Sequence, residues 1–232
     1  MKVVGVIPAR LYSSRFPKKI LHLIDGKPMV VHVYEQAVKA KSLDDVIVAI
    51  DAHETETSLN EWKVKTIMTS DNHISGTDRI QEAVIDIEAD VVVNIQGDEP
   101  TINPLLIDEL VQQFEDTTIE MATVAGQDIN VEKIMDVNAV KVLLDGGGFA
   151  VNFRRKPVET EAGGYYHHMG IYAYRKATLE KFTALAPSKN ELALKLEQYR
   201  ALDNGIPIKV ILVDKVNKGI DTMDDLKEFD RI

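Results

Sequence analysis

Short β-branched runs recur along the first half of the chain, each bounded by a helical pattern, and this alternation narrows the fold more than any other feature. Val3–Ile7 (VVGVI), Asp45–Ile50 (DVIVAI), Val64–Met68 and Val91–Ile95 (VVVNI) read as strands buried on both faces, as in parallel sheets. One helix opens at Pro28 and carries Val31, Val33, Tyr34 and Val38. A second starts near Thr77, a candidate N-cap, with Ile80, Ala83, Val84 and Ile87 at helical spacing. A third follows Pro104 through LLIDELVQQF. Repeated strand–helix units need right-handed crossovers, so the class expected is α/β with a wound parallel sheet.

The second half changes character. AVKVLLDGGGFAVNF reads as a hairpin turning at Asp145–Gly148, and His168–Tyr174 and Ile206–Val213 read as further strands. ELALKLEQYRAL places Leu192, Leu196 and Tyr199 on one face of a helix, with Gly205 at the position of a C-terminal glycine. ETEAGGYY, residues 159–166, reads as a mobile loop. A length of 232 residues suits a single domain with a small β-rich lobe inserted around 135–175.

The chain has no cysteine, which removes disulfides, thiolate zinc sites and thiol catalysis. MKVVGVIPAR is too short an apolar stretch for a signal peptide, and no run approaches the roughly 18 apolar residues of a membrane span. The expectation is a cytoplasmic protein with no membrane partner. A net charge of -10 also argues against a nucleic-acid partner, which would need a basic face.

Against that acidity, IPARLYSSRFPKKIL (Ile7–Leu21) holds Arg10, Arg15, Lys18 and Lys19, two serines (Ser13 and Ser14) and no acid. Ligands of open α/β sheets bind beyond the carboxyl ends of the strands. If the strands are parallel, this stretch shares an edge with Asp51 and with Gln96-Gly97-Asp98-Glu99-Pro100. For Asp51 the plain reading, an N-cap for the next helix, is favoured. Asp98 reads as a metal ligand, because QGDEP places two acids well before the helix at Pro104. Cations and hydroxyls facing carboxylates suit a polyphosphate whose oxygens Mg²⁺ bridges to the acids. Neither GxxxxGK[ST] nor a Rossmann GxGxxG is present. His167-His168 lacks an HExxH partner, and Asp221 read alone would simply begin the last helix.

Six motifs occur in order from end to end: IPARxxSSRFPxK, MTSxxxxSGTDR, VVNIQGDEP, HMGIYAYR, LEQYRALDNG and GIDTMDDL. Together they resemble the 3-deoxy-D-manno-octulosonate (Kdo) cytidylyltransferases, or CMP-Kdo synthetases. The resemblance implies a Rossmann-like nucleotidyltransferase fold with a mostly parallel central sheet and a small dimerisation lobe, hence a homodimer. It implies transfer of a cytidylyl group from CTP to Kdo, with Mg²⁺ and release of pyrophosphate, for the lipopolysaccharide inner core. Carried over by motif, Arg10, Ser13, Ser14, Arg15 and Lys19 hold the triphosphate, and Ser75, Arg79 and Gln96 place the cytidine. Asp98 and Asp221 become metal ligands, Arg155, His168, Tyr172, Glu197 and Gln198 line the sugar pocket, and Arg15, Lys19 and Asp98 act in catalysis.

The chain departs from the family pattern at residues 153–160, where FSRxPIPY is replaced by FRRKPVET. That difference makes 8-amino-Kdo or another 2-keto sugar acid the alternative acceptor. A non-catalytic nucleotide-binding regulator is the alternative of a different class. Without the resemblance, His168 and Tyr172 would be half-buried sheet residues on one face, and Glu197 and Gln198 solvated helix positions.

Overall fold

The computed structural model describes residues 1–12, 16–127, 129–156, 164–214, 219–220 and 225–226. The chain divides into two compact units, Met1–Val111 with Asn217–Ile232, and Gln112–Val216.

In the first unit, β1 (Val3–Ala9) pairs in parallel with β6 (Val91–Asn94) on one side and β4 (Asp45–Ile50) on the other, and β4 pairs in parallel with β5 (Thr66–Met68). The order β6-β1-β4-β5 makes a wound parallel sheet, as the alternation of patterns requires. Val4, Val6, Ile7, Ile47, Val48, Ile50 and Val91 to Val93 are shut away from solvent. Each contributes roughly 1.5–3 kcal/mol of apolar transfer. A two-stranded ribbon of β2 (Leu23–Ile24) and β3 (Lys27–Pro28) precedes helix α1 (Met29–Ala37). Pro28 is the N-cap of α1 rather than its first residue, and Val38, expected on the buried face, is the exposed C-cap.

Helices α2 (His53–Leu59) and α3 (Gly76–Ala83) follow β4 and β5. The N-cap of α3 is Ser75, whose hydroxyl accepts the Asp78 N–H at 3.1 Å, so the start lies two residues before Thr77. Helix α4 (Pro104–Gln112) begins where Asn103 Oδ1 accepts the Leu105 N–H, and it buries Leu106, Ile107, Leu110 and Val111.

The second unit holds β7 (Met121–Gly126), α5 (Val131–Met135), β8 (Lys141–Leu144), β9 (Ala150–Arg154), β10 (Tyr166–Arg175), α6 (Lys176–Ala184), α7 (Lys189–Leu194), α8 (Tyr199–Asp203) and β11 (Ile208–Val213). Strand β11 lies parallel to β7, β7 antiparallel to β10, and β10 antiparallel to β8, which closes the expected hairpin with β9. The hairpin turn bonds Asp145 N–H to Phe149 and Gly148 N–H to Asp145, and Gly148 takes φ +75°, a conformation that favours glycine. Strand β7 has no polar alternation to announce it, and the sequence pattern passed over it.

Two expectations are corrected here. Residues 191–202 form two helices, because Lys195 turns left-handed at φ 55° and ends α7. Leu192 is 66% exposed, while Leu196 and Tyr199 are buried. The loop expected over 159–166 stops short at its far end, since Tyr165 is buried and Tyr166 opens β10. Residues 157–163 lie outside the described residues.

Candidate functional site

The carboxyl edge of the first sheet collects most of the residues the motifs single out. Strand β1 runs out at Ala9 into the exposed Arg10 and the buried Leu11. The cationic loop that follows closes on itself where Lys18 N–H donates to the Leu11 carbonyl at 3.1 Å, and a 3₁₀ turn over Lys19–Leu21 continues it. Ser13, Ser14 and Arg15 lie outside the described residues. Of the loop's cations, Lys18 is turned to Glu54, whose hydrogen bond and charge raise the lysine pKa. Lys19 reaches instead across the edge and places Nζ 2.6 Å from Asp98 Oδ2, with both side chains part-buried.

Asp98 stands in the turn beyond β6. Gly97 allows that turn to press on β1, since a Cβ there would sit 3.2 Å from the Pro8 carbonyl oxygen. Gln96 donates to Asn94 Oδ1 at 3.0 Å. The Asp98 carbonyl accepts the Ile220 N–H at 2.9 Å, so the segment Gly219–Ile220 is tied to the turn. A cluster of Phe16, Ile24, Met29, Ile220 and Leu226 packs the cationic loop, the ribbon, α1 and the C-terminal segment together. Asp221, next in sequence after Ile220, lies outside the described residues.

Glu99 was not singled out by the sequence as a ligand, and its setting is the most telling in the unit. Its Oε2 is buried without a hydrogen-bond partner, and burial pushes its carboxyl up to about 8, with the charge of Asp98 adding to the shift. Two adjacent carboxyls, one held neutral by a dry and negative surrounding, form a hard-oxygen donor set that a divalent cation would satisfy. Among the described residues no group of three or more His, Asp or Glu is arranged to hold a metal alone. A Mg²⁺ site built from one or two carboxylates and substrate phosphates needs no such group. The residues present therefore fit the ion.

Asp51 corrects another expectation. Helix α2 is capped at Ala52 with no side-chain bond, and Asp51 faces inward. Its Oδ1 accepts the Leu11 N–H at 2.9 Å and its Oδ2 the Arg79 Nη2 at 3.1 Å. Arg79 is 2% exposed and also donates through Nη1 to Thr69 Oγ1 at 2.6 Å and the Ser70 carbonyl at 3.2 Å. Asp51 carried no motif; only its partners reveal it.

The residues assigned to the sugar belong to the second unit. Four residues of regular strand span about 13 Å, yet the His168 and Tyr172 rings lie 5.4 Å apart. The cause is a bulge in β10: Met169 pairs with Val124 and Tyr172 with Thr123, so β10 carries two extra residues, Gly170 and Ile171, between successive partners on β7. Thr123 Oγ1 donates to the Ile171 carbonyl at 2.7 Å and lies 3.1 Å from His168 Nε2. With its proton on that carbonyl, the hydroxyl can accept from a protonated Nε2. Burial, then the neighbouring His167, lowers the His168 pKa to about 3, so the ring is neutral. Burial likewise raises the Tyr172 pKa, and the charge of Glu197 adds to it.

Arg155 is exposed at the end of β9, with Nη1 3.4 Å from the Val137 carbonyl, and its own carbonyl accepts from the buried Lys141 Nζ at 2.8 Å. Glu197 and Gln198 occupy the turn between α7 and α8, and Gln198 is buried at 7% exposure, not solvated on a helix. That turn is held by Tyr199, which donates to Asn152 Oδ1 at 2.6 Å, and by the buried Arg200–Glu191 pair (Nη2–Oε1 2.6 Å).

A wound parallel sheet with a cationic loop and an acid turn at its carboxyl edge defines a nucleotide-binding α/β protein. The chain matches the cytidylyltransferase family over residues 4–211, and it belongs to that family. It is 41% identical to a 3-deoxy-manno-octulosonate cytidylyltransferase of Chloroherpeton thalassium, over 100% of this chain and 98% of that protein. To the protein of the same name from Lawsonia intracellularis it is 43% identical, over 96% of this chain and 91% of that one. Its fold superimposes on a CMP:2-keto-3-deoxy-manno-octonic acid synthetase complexed with CTP at a TM-score of 0.94 and 38% identity, covering 100% of this chain and 98% of the other. A cytidylyltransferase of Leptospira borgpetersenii shares the fold at a TM-score of 0.68 and 18% identity, over 99% of this chain and 85% of that one. Among the described residues no helix is long and apolar enough to cross a membrane.

Proposed function

We propose that this protein transfers the cytidylyl group of CTP to the anomeric hydroxyl of Kdo, giving CMP-Kdo and pyrophosphate. The observation that carries the reading is the Lys19–Asp98 pair at the carboxyl edge of the sheet, a cation for phosphate beside an acid for metal. The relatives named above, and the neighbour bound to CTP, support both substrates.

The sugar hydroxyl attacks the α-phosphorus in line and pyrophosphate leaves, so the protein's task is positioning and charge stabilisation. Arg10, Ser13, Ser14, Arg15 and Lys19 hold the triphosphate. Lys19 carries its ammonium on a flexible stem, which lets it turn from Asp98 to the leaving pyrophosphate, where Arg15 joins it. Asp98 and Asp221 would hold Mg²⁺, which when bound would polarise the α-phosphate and acidify the attacking hydroxyl. Ser75 and Gln96 belong to the cytidine side of the site, and Arg79 acts from behind it, bonded to Asp51, Thr69 and Ser70. Arg155 pairs with the sugar carboxylate through its planar fork. His168 and Tyr172, both uncharged, serve as hydrogen-bonding groups toward sugar hydroxyls, with Glu197 and Gln198 beside them. The homodimer implied by the motifs is consistent with the exposed Val131 and Met135, one turn apart on α5.

The test is pyrophosphate release from CTP and Mg²⁺, with Kdo and 8-amino-Kdo in parallel. Turnover with Kdo is the expected result. Turnover with the amino sugar alone would make residues 153–160 the determinant of a different acceptor, and release with neither would overturn the assignment.

A further inference from the structure

One chain of polar contacts crosses the strand ends of the first unit. Leu11, the first buried residue after β1, has both backbone groups engaged. Its N–H donates to Asp51 Oδ1 at 2.9 Å, and its carbonyl accepts the Lys18 N–H that closes the cationic loop. The other Asp51 oxygen takes Arg79 Nη2 at 3.1 Å, and Arg79 Nη1 goes on to Thr69 and Ser70 beyond β5. Asp51 and Arg79 side chains are 12% and 3% exposed. At that depth a carboxylate needs a counter-charge, and removing either partner leaves the other uncompensated.

A guanidinium so enclosed, with partners on both terminal nitrogens, is built to hold protein to protein. We propose that Asp51 is a positioning residue for the triphosphate loop, and that Arg79 serves the nucleotide through Asp51 and Leu11 without touching the base. The inference rests on the nucleotide reading given above. Leu11 and Lys18 are the two ends of the cationic loop, tied to each other and, through Leu11, to Asp51. Fixing the loop's base in the free protein removes part of the ordering cost from the binding step. The pair thus sets where the loop's ends, Leu11 and Lys18, are held and leaves the choice of base alone.

Two variants separate these roles. Asp51→Asn keeps an acceptor for Leu11 but turns an amide donor toward Arg79, and Arg79→Lys keeps the charge but loses the fork. Calorimetric binding would be measured with inorganic tripolyphosphate as a base-free probe and with CTP and UTP, each with Mg²⁺. Both variants are expected to weaken tripolyphosphate and CTP by the same factor, about tenfold, in line with loss of one charge-assisted hydrogen bond. The CTP-to-UTP preference should stay at the wild-type ratio, and the double variant should be no weaker than the weaker single one. A loss confined to CTP, with that preference collapsed, would put Arg79 on the base and overturn the proposal. So would wild-type affinities in folded variants. Should neither variant fold, the wild-type protein decides: the Leu11 amide must be protected from hydrogen exchange without nucleotide, and exchange at the rate of an unstructured amide refutes the tie. Wild-type protein that binds neither CTP nor tripolyphosphate overturns the nucleotide reading itself, which is a different failure.

Discussion

Burial holds the Glu99 carboxyl near 8, far above its ordinary 4.5. A proton is therefore kept in the folded protein through a range where the unfolded chain has lost it, so this residue's contribution to stability is full below pH 4.5 and drains away as pH rises toward 8. Glu99→Gln mimics the neutral acid and should flatten that slope. Urea unfolding at pH 5, 7 and 8.5 without divalent cations checks it: the variant should gain on the wild type with rising pH, and parallel curves would contradict the burial argument. His168 works in the opposite sense, since its neutral form is favoured in the fold and stability is lost as pH falls from 6.5 toward 3. Beside Glu99, Asp98→Asn should fold and lose about 10² in turnover, the scale of one electrostatic stabiliser. A folded Asp98→Asn enzyme of normal activity would remove Asp98 from the metal site. None of these pKa shifts is legible in QGDEP or HMGIYAYR, because desolvation belongs to the neighbours.

Elements show where pattern reading holds and where backbone geometry takes over. The buried strands and the hairpin follow from β-branched runs and a glycine turn, both local signals. The break between α7 and α8 does not, because Lys195 has no sequence mark of a helix end and takes φ 55° to let Leu196 and Tyr199 go inward. A left-handed non-glycine residue is strained by roughly 1 kcal/mol. Lys195→Gly is accordingly expected to raise stability by up to about that amount in a denaturant titration; a lower midpoint would mean the lysine side chain contributes there. The bulge in β10 makes a second case. It brings His168 to Tyr172 and is fastened by Thr123. Thr123→Val should cost about 1–3 kcal/mol by leaving polar groups unmet, and it should raise KM for the sugar more than for CTP. Equal rises would show that the hydroxyl matters only for folding.

At the scale of the whole molecule, the residues assigned to nucleotide and to sugar fall in different compact units, Met1–Val111 with Asn217–Ile232 and Gln112–Val216. Arg155→Lys should thus weaken sugar use and leave CTP affinity nearly intact, as read by separate KM values; loss of both together would place Arg155 elsewhere. By itself the sequence determined the α/β class, the parallel strands, the cationic loop and, through six ordered motifs, the family, because all of these rest on local periodicity and residue identity. Only the tertiary structure decided that Asp51 is an anchor and no helix cap, that Glu99 is dry, that Arg79 is enclosed and that His168 is neutral. Those properties arise from partners far apart in the chain, such as Leu11 with Asp51 and Asp51 with Arg79, and burial by distant segments leaves no trace in the residues buried.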